Sequence, residues 1–233
     1  MFSDNYWYRY IIKYINDLES TDVSYVKVSD GNKKLIVSFA SNGEPMKNFF
    51  QHKKTLVKLK YEQNNFDMLY LRDQKKWYLG ELNGIGKNID DTLFFLKKEF
   101  SKYDKVLCVG FSSGGYASLL FGSLLNVNQV IAVDAQTDLQ YVKNKTKHPQ
   151  LIKQSKQCPV TWKKYNKIVN ILNDKVLYNV FYSGVNKSNL PAIENKALHG
   201  HYHYDQIKDW SSVNKFEEEK HFHCLTKKFI EEV

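Results

Sequence analysis

The chain has 233 residues, 42% hydrophobic and 15% aromatic, with a formal net charge of +9. That is enough apolar material for one large core, and it excludes a disordered or fibrous protein. The start, MFSDNYWYRYIIKYINDLES, lacks the basic region followed by an apolar stretch of a signal peptide, and no run reaches the ~20 apolar residues of a spanning helix, so a soluble, cytoplasmic protein is expected.

Residues 5–18 place Tyr10, Ile11, Tyr14 and Ile15 at helical spacing. Next, VSYVKV (23–28) and KLIVSFA (34–40) flank SDGNK, and this pattern predicts an antiparallel hairpin with an Asp-Gly turn. FDMLYLR (66–72) predicts a strand. Residues 88–103 predict a helix with Leu93, Phe94, Leu96 and Phe100 on or near one side. A strand at 105–109, a helix from about 114 to 125 and a strand at 129–134 follow. Residues 137–175 are lysine-rich and show no clear period. Strands are expected at 176–184 and in HYHYDQIKD, with a short helix in LPAIENKAL between them and a closing helix in HFHCLTKKFIEEV. Strands alternating with helices after a hairpin imply an α/β domain: a mostly parallel sheet with helices on both faces. One domain is expected over 1–233, with 137–175 a cap or insertion over one end.

Cys108, Cys158 and Cys224 are odd in number and widely spaced, which suggests neither a disulfide framework nor a zinc knuckle. Cys108, inside an apolar run, is most simply a core residue.

The segment KVLCVGFSSGG (105–115) carries the chemistry. Gly110-Phe111-Ser112-Ser113-Gly114 fits G-x-S-x-G, the turn that holds a nucleophilic serine between a strand and a helix. By composition alone the pattern arises by chance in roughly 8% of chains this long. Its weight comes from the strand before it and the helix after it. A phosphate-binding turn is the rival, and neither G-x-x-x-x-G-K-[ST] nor G-x-G-x-x-G is present. A serine nucleophile needs an oxyanion hole. The N–H of Ser113 is one candidate, and the N–H of Ala40 or Ser41, in the loop after LIVSFAS, is the other. In chain order the general base comes last, which points to His221, with His223 as the alternative. The acid is missing from its expected place: YSGVNKSNL (182–190) has amides and hydroxyls but no carboxylate. Asp134 is the best substitute, with Asn186, Asp205 or Glu217–Glu219 as further options.

His199, His201 and His203 alternate and would share one strand face, so a zinc site and a metallohydrolase stay open as a lesser reading. The insertion carries Lys143, Lys145, Lys147, Lys153, Lys156, Lys163, Lys164 and Lys167 beside Tyr141, Trp162 and Tyr165. As a surface it suits an anionic glycan, ammonium groups on the acid groups and aromatic faces on the sugars. A lysine excess also suits an anionic membrane surface. Nucleic acid is not expected, since the chain has only Arg9 and Arg72 as arginines and no known binding motif.

The stretch LCVGFSSGGYASLLFGSLLNVNQVIAVDAQTDL resembles the serine α/β-hydrolase-like enzymes of bacterial capsule and surface-glycan clusters, which include sugar O-acetyltransferases and related esterases. Their G-x-S-x-G-G elbow falls on Gly110–Gly115, their glutamine motif after the next strand on Gln136, their oxyanion strand on IVSFAS, and their closing histidine on His221. Two departures stand out: Asn186 near the position of the family's aspartate, and Ala135 for the proline before the glutamine. The resemblance implies acetyl transfer to, or removal from, a surface glycan or its precursor. It requires no bound cofactor, and acetyl-CoA is a candidate acyl donor. A glycan-binding or assembly protein that has lost catalysis along with the acid is the competing expectation.

Overall fold

Parallel strands buried on both faces read as unbroken apolar runs rather than alternating ones. This pattern recurs along the chain. In the computed structural model, residues 9–10, 13–14, 17, 21–41, 65–73, 77–133, 135–183 and 210–213 are described. The strands are β1 (Tyr25–Val28), β2 (Lys34–Phe39), β3 (Asp67–Leu71), β4 (Lys105–Phe111), β5 (Gln129–Val133), β6 (Leu177–Ser183) and β7 (Trp210–Val213), in one sheet of order β1-β3-β2-β4-β5-β6-β7. All of β3 and all of β5 are buried, as are Leu35 to Phe39 of β2. From β3 to β7 every pairing is parallel; β1 alone runs antiparallel, against β3.

The expected antiparallel pair is therefore present, with a different partner. β1 and β2 do not form a hairpin, because β3 lies between them. The Asp30-Gly31 turn keeps its character, with Gly31 at φ +81°. What redirects it is Asp67, the fully buried first residue of β3. Its carboxylate accepts from the Ser29 hydroxyl, from Asp30 N–H at 3.0 Å, from Asn32 Nδ2 at 3.0 Å and from the Tyr103 hydroxyl at 3.0 Å. The turn is thus pinned to the start of β3, and β2 begins one strand further in. Burial raises the Asp67 pKa, and these hydrogen bonds outweigh it, leaving the carboxyl below its ordinary value.

Helix α1 (Ile89–Phe100) begins at Asn88, whose side chain caps the N–H groups of Asp90 and Asp91. Ile89, Thr92, Leu96 and Phe100 form its inner face, while Phe94, expected on or near that side, is 73% exposed. Helix α2 (Ser113–Leu124) is buried from Ser113 through Ser123, as a helix apolar all round must be. It packs on β4, β5 and β2. Residues 139–170, where the sequence showed no clear period, are helical: α3 (Leu139–Thr146), α4 (Pro149–Gln157), α5 (Pro159–Tyr165) and a 3-10 turn (Ile168–Asn170). Pro149 and Pro159 each stand at a helix start, where proline's missing N–H costs nothing. The described residues of the amino-terminal stretch are helical, with Tyr10 and Tyr14 exposed. Among the described residues no helix is long and apolar enough to cross a membrane. Cys108 is fully buried, and burial pushes its thiol up, as a core residue requires. The expected strand at HYHYDQIKD and the helices at LPAIENKAL and HFHCLTKKFIEEV lie outside the described residues; β7 begins just after the first of these.

Candidate active site

The parallel register aligns the carboxyl ends of β2, β4 and β5, pairing Phe39 with Gly110 and Phe111 with Val133. In open parallel sheets, sites form along this edge. Ser112 follows the end of β4 and precedes the first residue of α2. Its backbone has φ +52° and ψ −118°, a conformation that an L-residue holds only when its surroundings impose it, at a cost of about 1–3 kcal/mol. Those surroundings are visible. Ser112 N–H donates to Val133 O at 2.8 Å, and Tyr116 N–H closes the first helical turn on Ser112 O at 3.0 Å. A Cβ on Gly110 would come within 2.1 Å of Gly114 O, and a Cβ on Gly114 within 2.1 Å of Phe39 O. Both glycines are demanded by close backbone approach, the first across the elbow and the second against the end of β2. A Cβ on Gly115 would meet that of Ala135 at 2.9 Å, so the helix also rests on the segment after β5.

A serine preceding a helix ordinarily caps it with its hydroxyl. Ser112 makes no such bond. Its Oγ instead accepts from Gln136 Nε2 at 2.8 Å. Ser112 is half-buried and stands at the positive end of α2. Gln136 is 8% exposed, and its Oε1 has no hydrogen-bond partner among the described residues.

The two expected oxyanion donors have separate fates. Ser113, buried, occupies the first position of α2, where a helix supplies no acceptor of its own for the N–H. Ala40 N–H donates to Leu71 O at 2.8 Å and so continues the β2–β3 ladder. Of the two residues left open by the sequence, Ala40 thus has its N–H engaged in the sheet. The Ala40 carbonyl is fixed as well: the Tyr78 hydroxyl donates to Ala40 O at 2.7 Å and to Leu71 O at 3.2 Å. Burial pushes that hydroxyl well above the ordinary phenol range, so it stays a donor. Tyr78 and its neighbour Trp77 both have positive φ, at 60° and 54°. Sequence reasoning missed Tyr78, and nothing local in WYLG signals its reach to a strand end.

Asp134, Asn186, Asp205, Glu217–Glu219, His221 and His223 lie outside the described residues, as do His199, His201 and His203. The structure brings Ser112, Ser113, Gln136 and the end of β2 together. It also corrects the reading of the insertion's aromatic residues. Trp162 and Tyr165 are 5% and 3% exposed, on the inner face of α5, so their rings are not presented to a ligand. Trp162 Nε1 donates to Gln140 Oε1 at 3.0 Å, and Tyr165 O accepts from the Tyr116 hydroxyl at 2.8 Å. The lysines are placed otherwise: Lys147, Lys153, Lys156, Lys163 and Lys164 are exposed.

No protein-family model matches the chain, and its sequence matches none of the curated proteins. Solved structures do match. The capsule O-acetyltransferase of Neisseria meningitidis serogroup A is 16% identical, over 89% of this chain and 91% of that one, with a TM-score of 0.58. FphF, a fluorophosphonate-binding serine hydrolase of Staphylococcus aureus, is 10% identical over 87% of this chain and 84% of that one, with a TM-score of 0.55. MGS-MChE2, an α/β hydrolase enzyme from the metagenome of lagoon sediments, is 12% identical over 88% of this chain and 93% of that one, with a TM-score of 0.52. The chain has the α/β-hydrolase fold, and Ser112 stands on the turn between its fourth strand and the helix that follows.

Proposed function

We propose that the protein is a serine-dependent acyl-transfer enzyme with Ser112 as nucleophile. The observation that carries this reading is the backbone of Ser112 at φ +52°, held there by glycines that only close approach explains. Strain maintained at one polar residue on a ligand-binding edge is a device for presenting a side chain. In the reaction Ser112 Oγ attacks an ester or thioester carbonyl, and its proton passes to His221. The carbonyl oxygen takes the electron pair and is held by the N–H groups of Ser113 and Ser41. The leaving group departs with the proton from His221. A hydroxyl or water then attacks the acyl-enzyme by the reverse sequence. Asp134 orients His221 in this scheme.

The acyl group we assign is acetyl, with acetyl-CoA as donor and a bacterial surface glycan as acceptor. Two things support this. One is the likeness in fold to a capsule O-acetyltransferase. The other is charge. Residues 137–175 carry nine lysines against Asp138 and Asp174, a net charge of +7. This segment packs beside the site, through Tyr165 on Tyr116 and through Gln154, which donates to Leu79 O at 3.3 Å. We read it as a cap whose outer face attracts an anionic acceptor.

Acid-quenching the enzyme during turnover of p-nitrophenyl acetate tests the covalent step. The expected result is an acetyl group on the peptide containing Ser112; turnover without a trapped acyl-enzyme, or acetyl on another residue, would contradict it.

A further inference from the structure

The backbone at Gln136 is held from both sides. Ala135, before it, lies against Gly115, and Thr137 O, after it, accepts from Ile168 N–H at 2.9 Å. Asp138 then caps α3 through Tyr141 N–H at 2.8 Å and pairs with Lys167 at 3.5 Å. Gln136 itself is more than nine-tenths buried, with Nε2 on Ser112 Oγ at 2.8 Å. Its other polar side-chain atom, Oε1, has no partner among the described residues. An amide oxygen buried without a donor costs about 1–3 kcal/mol, so a group in this state needs a reason. Carboxamide geometry keeps Oε1 within about 5 Å of the nucleophile. A ligand standing over Ser112 is therefore within its reach, and no described residue supplies Oε1 with a hydrogen-bond donor.

We infer that Gln136 reads the acyl acceptor: its Oε1 accepts a hydrogen bond from the hydroxyl next to the one being acylated, so that the acceptor is a vicinal diol of a sugar or polyol. This rests on Ser112 being the nucleophile. In the second half of the reaction the attacking hydroxyl oxygen forms a bond to the acyl carbon and gives its proton to the base. The bond from that carbon to Ser112 Oγ breaks, and Oγ keeps the electron pair and is reprotonated. Nε2 donates to Oγ while negative charge gathers on it. Oε1 meanwhile holds the neighbouring hydroxyl, which fixes the orientation of the attacking one. A monohydric alcohol reacts by the same steps without the second contact.

The experiment compares cis-1,2-cyclohexanediol with cyclohexanol as acceptors of acetyl from p-nitrophenyl acetate, and measures the ratio of the two transfer products. The wild type is expected to favour the diol about tenfold, the worth of one added hydrogen bond. Gln136→Met, similar in shape without the amide's polar atoms, should bring the ratio near the roughly twofold set by the number of hydroxyls. Its acylation should slow by about tenfold, since Oγ loses its donor, while fluorophosphonate labelling still runs to completion. Gln136→Glu keeps an acceptor oxygen and should keep the diol preference. A carboxylate in place of a donor beside Oγ should also move the pH profile of acylation upward. A wild type indifferent to the second hydroxyl, or a Gln136→Met enzyme that retains the preference, would overturn the inference. An unlabelled wild type would overturn the assignment of Ser112 itself, and the two failures are distinguishable on that basis.

Discussion

At Ser112 the chain accepts local strain to aim one hydroxyl. Three contacts maintain it: the N–H to Val133 O, the Tyr116 turn and the Gly110–Gly114 approach. Replacing the residue by glycine removes the Cβ that makes φ +52° unfavourable. Ser112→Gly is therefore expected to be inactive and more stable, by roughly 1 kcal/mol after glycine's own entropic cost. Urea unfolding of the pure protein measures it; a variant less stable than wild type would mean that the hydroxyl's bond to Gln136 contributes more than the strain costs. The elbow was legible in the sequence because its determinants are local, two glycines at fixed offsets around a serine. The Gln136–Ser112 bond and the use of Ala40 N–H by Leu71 were not, since both join residues more than twenty positions apart.

Among elements, the departure from expectation is β1, which passes over β2 and pairs with β3. The Asp-Gly turn signals a reversal but not the strand that receives it. That information lies in Asp67, a single carboxylate beyond the turn by more than thirty residues. Because its folded pKa is depressed, its stabilising contribution is complete above the unfolded value of about 3.9 and is lost as pH falls through the lower folded value. Asp67→Asn should cost about 2 kcal/mol at neutral pH, as donors lose their shared acceptor. It should also flatten the fall in stability on the acid side of about pH 4. Urea midpoints followed with pH check this, and parallel curves for the two proteins would contradict it. The helices α3 to α5 escaped the sequence reading for a related reason. They span only eight, nine and seven residues, too few for a period to declare itself, and prolines separate them.

For the whole molecule, charge is distributed rather than merely abundant. Residues 45–61 carry five lysines with no carboxylate, and residues 137–175 hold a net +7 beside the serine edge. If this face attracts an anionic acceptor, the KM for such an acceptor should rise about tenfold between roughly 0.05 and 0.5 M salt, while turnover of a small neutral ester barely changes. Lys153→Glu combined with Lys156→Glu and Lys163→Glu should raise the same KM at low salt. Equal salt dependence for charged and neutral substrates would remove this segment from acceptor binding and leave the serine chemistry in place.

All of the chemistry assigned to this fold converges on one oxygen, Ser112 Oγ, and a fluorophosphonate probe interrogates that atom alone. Folded wild-type protein should be labelled stoichiometrically, with the adduct on the peptide containing Ser112, and Ser112→Ala should take up none. A folded wild type that resists the probe, or a Ser112→Ala protein that still reacts, would show that the elbow does not carry a nucleophile.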